Sequence, residues 1–340
     1  MALVDTLSTV GSALWRRLHG DPGPVALPAD ALPHHQPVEW WYLVGTLEVE
    51  GAGRHAFEHT VARVADPLVA RVGTWAAVLA LIAEQGADYA LEERAAARTP
   101  LRVENGGWRA RFGAGAAAWD FALDPVGATV SLRAENAGGR LVLGGRWARP
   151  PARWGDAGVV DYGGQQRLAW WSASRIVLTG TLARPGEAPR AARGLGWLDH
   201  QYGAPALGAY RWRVLLLHLD NGEDLLAFSM ETRAGAPVSA QAWVQGPAGP
   251  PRALTGVVLE AEGPRAPGGT VPGTRLRADG GWDLRARPWF LGQLKALPPG
   301  RFQRFPVWWE GAADVAGAGP GGPVRGRGFI EVAPGREGAG

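Results

Sequence analysis

The sequence predicts an all-β protein built from two β-rich units. The 340 residues include 50 Gly and 27 Pro, which interrupt the chain too often for long helices. Between these breaks lie many short runs of strand-forming residues, spaced roughly 8–12 positions apart, and this pattern favours a β-sandwich or an up-and-down barrel. The strands are too many for one such unit and fit two. The 17 Trp outnumber the 5 Tyr and 8 Phe together, so many indole rings must face a core or a ligand cavity.

One helix is expected at the N-terminus. Apolar residues recur at helical spacing over residues 3–18, and the pattern ends before a glycine. The helix either covers one end of a barrel or lies on a membrane surface with Trp15, Arg16 and Arg17 at the lipid. Peripheral membrane contact through residues 1–19 is therefore kept as an alternative. A Pro-rich lead-in follows.

Strands are expected from residue 39 onward. Trp40 to Val49 forms the first, residues 51–53 turn the chain, and Arg54 to Val64 pairs back. The Ala-rich segment Thr74 to Glu84 has helical propensity, but its length and its glycine-bounded ends indicate a buried strand. The strands that follow are expected at residues 101–103, 108–112, 118–123, 129–134, 140–147 and 170–182.

The clearest hairpin lies in the second half of the chain. Tyr210 to Leu219 and Asp224 to Glu231 flank Asn221-Gly222, a dipeptide typical of a type I′ turn. Residues 246–281 are rich in Gly and Pro and are predicted to form long loops. The predicted divisions of the chain are 1–29 for the helix and lead-in, 30–204 and 205–333 for the two β-domains, and 334–340 for a disordered tail.

Composition excludes several classes of function. There is no Cys, so disulfides, thiolate metal sites and a Cys nucleophile are excluded. The net charge is only +3 and no block of like charges exists, so we expect no nucleic-acid partner. No stretch of 18 apolar residues is present, and the order of charges in residues 1–19 is opposite to that of a secretory signal peptide. We therefore expect a cytoplasmic location.

The segment 196–203 carries the most chemistry. It places the carboxyl of Asp199, the imidazole of His200 and the amide of Gln201 between Trp197 and Tyr202. A carboxyl in apolar surroundings has a raised pKa and acts as a general acid near neutral pH. Adjacent residues of a strand point to opposite faces, so Asp199 and His200 share one site only if the segment bends. Otherwise only one of them is catalytic, or both are structural groups at a domain junction.

Glu39-Trp40-Trp41-Tyr42 is the second unusual cluster. On a strand, Glu39 shares one face with Trp41, and Trp40 shares the other with Tyr42. Aromatic side chains on both faces indicate that both faces are buried. Glu39 is then either a paired structural carboxylate or a second acid–base group. The cluster at residues 307–311 also has an acidic residue beside a Trp pair, which suggests a similarity between the two halves of the chain.

Neither a metal nor a cofactor is predicted. No glycine-rich phosphate loop and no Gly-x-Ser-x-Gly elbow is present. A metal site needs a third ligand, and spacing places none beside the three histidine pairs, His34-His35, His55/His59 and His200/His218.

These motifs together resemble a lipocalin-like family that includes carotenoid 1,2-hydratases. They occur in the family's order and span nearly the whole chain. The resemblance is carried by Pro28-Ala29-Asp30, His34/His35, Glu39-Trp40-Trp41-Tyr42 and Gly45; by Trp170-Trp171-Ser172, Gly180-Thr181-Leu182 and residues 196–203; and by Trp309-Glu310-Gly311-Ala312 and Gly326-Arg327-Gly328-Phe329-Ile330-Glu331.

The resemblance implies two lipocalin-like (calycin-type) antiparallel β-barrel domains in tandem, a carotenoid-hydratase-like one over 30–204 and a lipocalin-like one over 205–333. It also implies an apolar isoprenoid or polyene substrate and no cofactor. In the family's hydratases the acid that protonates the alkene lies in a Tyr-x-Asp-His-Asn-like segment. That Asp matches Asp199, while Trp197 and Gln201 stand at the Tyr and Asn positions.

The predicted function is that of a cofactor-free hydratase-type lyase. Asp199 and His200 are the predicted catalytic residues, and the substrate-binding residues are Trp197, Gln201, Tyr202, Trp41, Trp171 and Glu39. The alternatives are a cofactor-free cyclase of the Diels–Alder type and a non-catalytic lipocalin-like protein that binds a hydrophobic small molecule. The oligomeric state is left open.

Overall fold

The computed structural model describes residues 2–34, 36–65, 73–96, 98–163, 166–206, 209–296 and 308–333. Nearly all regular structure in these residues is β-strand, which confirms the predicted all-β class. The chain divides into two compact units, the first formed by residues 1–161 and 166–206, the second by 162–165 and 207–340. Each unit has one large antiparallel sheet and its own hydrophobic core. The predicted tail, His35 and Val307 lie outside the described residues.

The first unit begins with helix α1 (Ala2–His19) and a short 3₁₀ turn (Ala29–Ala31), and a second 3₁₀ turn (Gly115–Ala117) lies between two strands. The strands follow in chain order: β1 (Val38–Val49), β2 (Gly53–Ala65), β3 (Gly73–Ala83), β4 (Asp88–Ala96), β5 (Leu101–Glu104), β6 (Gly107–Phe112), β7 (Trp119–Asp124), β8 (Thr129–Asn136), β9 (Gly139–Trp147), β10 (Ala152–Arg153), β11 (Val159–Asp161), β12 (Arg167–Ala183) and β13 (Arg190–Gly203).

The sheet of the first unit closes its first strand against its last. Its order is β4-β3-β2-β1-β13-β12-β9-β8-β7-β6-β5, with β10 and β11 paired to β12. The β1–β13 register sets Trp41 opposite His200 and Tyr42 opposite Asp199. Alternate residues of β1, β12 and β13 point into the core of the unit, among them Trp41, Trp171 and Leu198. This face is called the inner face below, and the opposite one the outer face.

A close approach between β1 and β13 requires glycine at position 194. A Cβ there would lie 1.9 Å from the backbone carbonyl oxygen of Thr46, which cannot move without disturbing the ladder. We expect Gly194→Ala to lower the free energy of unfolding in urea by about 2 kcal/mol. The matched control is Gly144→Ala in β9, where a Cβ would meet nothing within 4 Å. Equal stability of the two variants would contradict the steric argument.

The helix predicted at the N-terminus is confirmed, and its last turn contacts the first unit. Trp15 Nε1 donates to Gln36 Oε1 over 3.2 Å, and Arg16 donates to the carbonyl of Ala204 over 3.0 Å. These contacts favour the alternative in which the helix packs on the β-structure. Membrane contact through residues 1–19 stays a prediction. None of the described helices has the length and apolar character needed to cross a bilayer.

The second unit repeats the closure of first strand on last, in the order β17-β16-β15-β14-β23-β22-β20-β19-β18 with β21 paired to β22. Its strands are β14 (Tyr210–Leu219), β15 (Asp224–Thr232), β16 (Pro237–Gln245), β17 (Arg252–Ala253), β18 (Val258–Ala261), β19 (Thr274–Ala278), β20 (Trp282–Pro288), β21 (Leu294–Lys295), β22 (Trp308–Gly319) and β23 (Gly322–Ala333).

Two predictions for the second unit need correction. The hairpin of β14 and β15 is confirmed, but a four-residue loop joins the strands, in which Gly222 has a positive φ and Asn221 does not. A type I′ turn needs positive φ at both central residues, so that assignment was wrong. The region 246–281 contains the short strands β17, β18 and β19 in addition to loops, because pairing within the sheet compensates for its weak local pattern.

Candidate functional site

The eight predicted site residues fall on two faces of β1, β12 and β13. Segment 196–203 does not bend, because β13 stays paired with β1 on one side and β12 on the other. Of the two alternatives, the structure has the extended segment, in which Asp199 and His200 do not share one site. The inner face holds Glu39, Trp41, Trp171, His200 and Tyr202, whereas the outer face holds Trp197, Asp199 and Gln201.

Glu39 is the centre of the inner-face cluster, and its side chain is fully buried. One carboxylate oxygen, Oε1, lies 3.0 Å from His200 Nε2 and 3.1 Å from His34 Nδ1. The backbone N–H of His34 donates to the same oxygen over 2.8 Å. Burial alone would raise the pKa of Glu39, but the hydrogen bonds from His200 and His34 outweigh it and hold the pKa below its usual value. Glu39 is therefore a carboxylate at neutral pH.

The two histidines of the cluster have opposite protonation preferences. Burial lowers the pKa of His200 more than Glu39 raises it, so His200 stays neutral. The indole N–H of Trp171 donates to His200 Nδ1 over 3.0 Å, which leaves the proton on Nε2, facing Glu39. For His34, burial is opposed by hydrogen bonds to Glu39 and Asp30, and the net effect raises the pKa. His34 thus joins the lead-in segment to β1, and the two carboxylates beside it favour its cationic form.

Aromatic rings and one arginine enclose this cluster. Trp41 stacks on His200 with ring centroids 4.3 Å apart, and Tyr202 stacks on His34 at 3.8 Å. Buried Arg63 lies opposite Glu39 in the β1–β2 register and donates to the backbone of the lead-in. The two acidic and two basic groups therefore balance within a desolvated cluster at one end of the sheet.

A set of possible metal ligands that spacing along the sequence did not place converges on the inner face. His34, Glu39 and His200 each place a ligating atom within 4.8 Å of the others, and two imidazoles with a carboxylate form a donor set that suits a divalent cation. The third ligand was missed because these residues come from the lead-in, β1 and β13. Hydrogen bonds among the three, with Asp30 and Trp171, already satisfy the cluster.

Asp199 is the centre of the outer-face cluster. Its Oδ1 accepts hydrogen bonds from the Trp197 indole, over 2.6 Å, and from the Ser172 hydroxyl. Ser172 in turn accepts from the Trp154 indole over 2.6 Å, and the rings of Trp154 and Trp197 stack nearly parallel. Tyr42 and Ser172 lie opposite Asp199 on the two neighbouring strands.

The carboxyl of Asp199 is only 2% exposed. Burial raises its pKa from 3.8 to about 6, although the hydrogen bonds from Ser172 and Trp197 oppose the shift. A substantial fraction of the protein therefore holds this group neutral just below neutral pH. The role of Trp154 left no signal in the sequence, whereas Ser172, Asp30 and His34 all lie in the motifs that carry the family resemblance.

Two antiparallel half-barrel sheets, one in each unit, define the chain as a lipocalin-like protein. The sequence profile described as AttH-like matches residues 19–335, so the chain belongs to the AttH-like family. The resemblance inferred from the motifs is thereby confirmed. A search of curated protein sequences found no match.

Solved structures with the same fold confirm the predicted pair of lipocalin-like barrels. An AttH-type protein from Nitrosomonas europaea is 22% identical, with a TM-score of 0.77 over 92% of this chain and 97% of that one. Kievitone hydratase from Nectria haematococca is 13% identical, with a TM-score of 0.71 over 91% and 93%. CghA is 15% identical, with a TM-score of 0.57 over 94% and 96%. At these identities the likeness establishes the fold.

Proposed function

We propose that the protein is a cofactor-free hydratase-type lyase that adds water across an alkene of an apolar isoprenoid or polyene, with Asp199 as the acid. The observation that carries the proposal is the buried carboxyl of Asp199, whose pKa of about 6 lets it stay protonated beside indole rings. Hydration is the reaction class named for one relative of the same fold, kievitone hydratase.

The first step is proton transfer from Asp199 to an alkene carbon. Oδ1 already accepts from Ser172 and Trp197, and Trp170 is a further donor to this carboxyl, so we assign the transferable proton to Oδ2. The π electrons form the new C–H bond, and the adjacent carbon becomes a tertiary cation. An indole face stabilises such a cation by about 2 kcal/mol when water is excluded, and Trp197 is the candidate that neighbours the acid.

The second step is addition of water to the cation. The surplus proton of the added water returns to the Asp199 carboxylate, so the acid is regenerated and no electrons are transferred. Gln201 shares the outer face with Asp199 and is the predicted group that holds this water. His200 and Tyr202 lie on the inner face, so they drop out of this role, and His200 becomes a support for β1 and β13.

A non-catalytic binder is the second candidate. It is favoured by the hydrogen bonds that Ser172 and Trp197 make to Oδ1 of Asp199, because a satisfied buried carboxyl also serves as a structural group. In that case the aromatic outer face only encloses an apolar ligand, or folds a polyene for a cofactor-free Diels–Alder cyclisation by proximity.

Incubation with an extract of apolar isoprenoids in ¹⁸O-labelled water tests these functions. We expect a product heavier by one labelled water, formed at a rate that falls as the pH rises through about 6, because Asp199 loses its proton there. The measurement is mass spectrometry across a pH series. A product of unchanged mass would indicate cyclisation, and a ligand recovered unaltered would indicate binding alone. Labelled product formed at a pH-independent rate would contradict the role of the acid.

A further inference from the structure

The second unit contains a cavity of about 340 Å³ that the proposed reaction does not use. Ligand sites for small molecules begin at roughly this volume. Three arginines, Arg211, Arg213 and Arg265, line it together with apolar side chains that include Leu259 and Val332. The lining residues all belong to the second unit. The cavity is thus part apolar and part cationic.

Two of these arginines point inward from β14. Leu215 and Leu217 of the same strand lie in the core of the second unit, and Arg211 and Arg213 continue that alternation. Side chains of arginine seldom lie inside a barrel unless other groups satisfy them. The partners of each arginine therefore indicate whether it serves the fold or a ligand.

Arg213 serves the fold. Its guanidinium donates to the carbonyl oxygens of Val271 and Pro272 and to the hydroxyl of Thr274. Burial lowers its pKa to about 10, partly offset by Glu231, so it remains a cation at neutral pH. Arg213 holds the segment that forms one wall of the cavity and adds a fixed positive charge there.

Arg211 donates through Nη2 to the carbonyl oxygen of Arg233, but two other donor atoms in the lining lack an acceptor among the described residues. They are Nε of Arg211 and the hydroxyl of Thr270, and both atoms are buried. Among the described residues of the lining, Glu231 is the one acidic side chain, against three arginines. Buried donors without acceptors are uncommon in native structures, and they mark sites that a ligand or water satisfies. An anionic acceptor would satisfy both donors and the excess positive charge.

We propose that this cavity binds the anionic head of an apolar molecule, of which a carboxylate on an alkyl chain is the simplest form. The carboxylate accepts from Arg211 and Thr270, and the chain lies against the apolar wall. This site is separate from the Asp199 cluster, and the proposal does not depend on the hydratase activity.

Titration calorimetry with octanoate, 1-octanol and acetate tests the head and the chain separately. Octanoate and 1-octanol share their chain length, and only the first carries a charge. A charge-assisted hydrogen bond contributes enough for about a tenfold gain in affinity, so we expect octanoate to bind at least about tenfold more tightly than 1-octanol. Acetate should bind more weakly than octanoate because it lacks the chain. Equal affinities for octanoate and either of the other two compounds would overturn the proposal.

Two variants locate the binding. Arg211→Met and the nearly isosteric Thr270→Val should each weaken octanoate binding by about five- to tenfold. The control is Arg277→Met, at an exposed arginine of β19 that pairs with Glu260 and does not line the cavity. It should leave the affinity unchanged. If Thr270→Val and Arg211→Met melt like the wild type and still bind octanoate with unaltered affinity, this cavity is not the site.

Discussion

Asp199→Asn is expected to abolish hydration and to stabilise the protein in the same experiment. An amide cannot deliver the proton, and loss of a positioned general acid lowers rates by about 10²- to 10⁴-fold. The carboxyl has a pKa of about 6 in the folded protein, against an ordinary value of 3.8. Burial therefore destabilises the charged form by about 3 kcal/mol, a penalty that grows as the pH rises from about 4 to above 6. Asparagine carries no charge and escapes this penalty.

Urea unfolding at pH 8 and pH 4, together with the labelled-water assay, measures both effects. The variant should be more stable than the wild type at pH 8. The difference should be much smaller at pH 4, where the wild-type carboxyl is protonated in the folded state and partly protonated in the unfolded state. The control is Asp224→Asn, which removes a buried carboxyl of the second unit that pairs with His218 over 2.8 Å. It should lose stability but retain the activity of each folded molecule. An active Asp199→Asn protein would exclude Asp199 as the acid.

Glu39→Gln is expected to lower the free energy of unfolding by about 3–5 kcal/mol, because it removes one partner from a buried set of charges. The guanidinium of Arg63 and the imidazole of His34, whose cationic form is favoured, would then lie in partly desolvated surroundings, and Asp30 would be the remaining acidic partner of His34 among the described residues. Equilibrium unfolding in urea at pH 7 measures the loss. The rate of hydration per folded molecule should stay near that of the wild type, because Glu39 lies on the face opposite Asp199.

The matched control is Glu92→Gln on β4, where a partly exposed carboxylate pairs with Arg94 over 2.9 Å. Surface pairs of this kind contribute at most about 1 kcal/mol. If the two variants lost similar amounts of unfolding free energy, the inner-face cluster would contribute no more stability than a surface ion pair. Loss of hydration by folded Glu39→Gln would move the chemistry to the inner face.

The local features of the site followed from the sequence because strand alternation depends only on neighbouring residues. Side chains alternate between the two faces of a strand, so Glu39 and Trp41 were predicted to share one face. For the same reason Asp199 and His200 were predicted to lie on opposite faces if the segment stayed extended. The structure has both arrangements. The N-terminal helix and the strands of the hairpin after residue 209 were likewise set by local patterns.

The contacts between distant segments did not follow from the sequence. Ser172 reaches Asp199 only because β12 pairs with β13, and Trp154 joins the cluster through Ser172. No local pattern encodes either neighbour. The convergence of His34 with His200 depends on a segment that has no regular structure to fix its position. A search for metal ligands by spacing along the sequence compares residues that are close in the chain. It therefore considered His200 together with His218 and missed Glu39, which is 161 residues away.

The pairing of the first strand of each unit with its last has a consequence for how the protein folds. More than a hundred residues separate β1 from its partner β13 along the chain, and the same is true of β14 and β23. Contacts of such long sequence separation slow folding, because loop closure precedes any gain from pairing. During synthesis, β1 and β14 can pair with β2 and β15, but the other edge of each strand stays unpaired until β13 or β23 emerges. The inner-face cluster, which joins Glu39 of β1 to His200 of β13, therefore forms only after β13 has been synthesised.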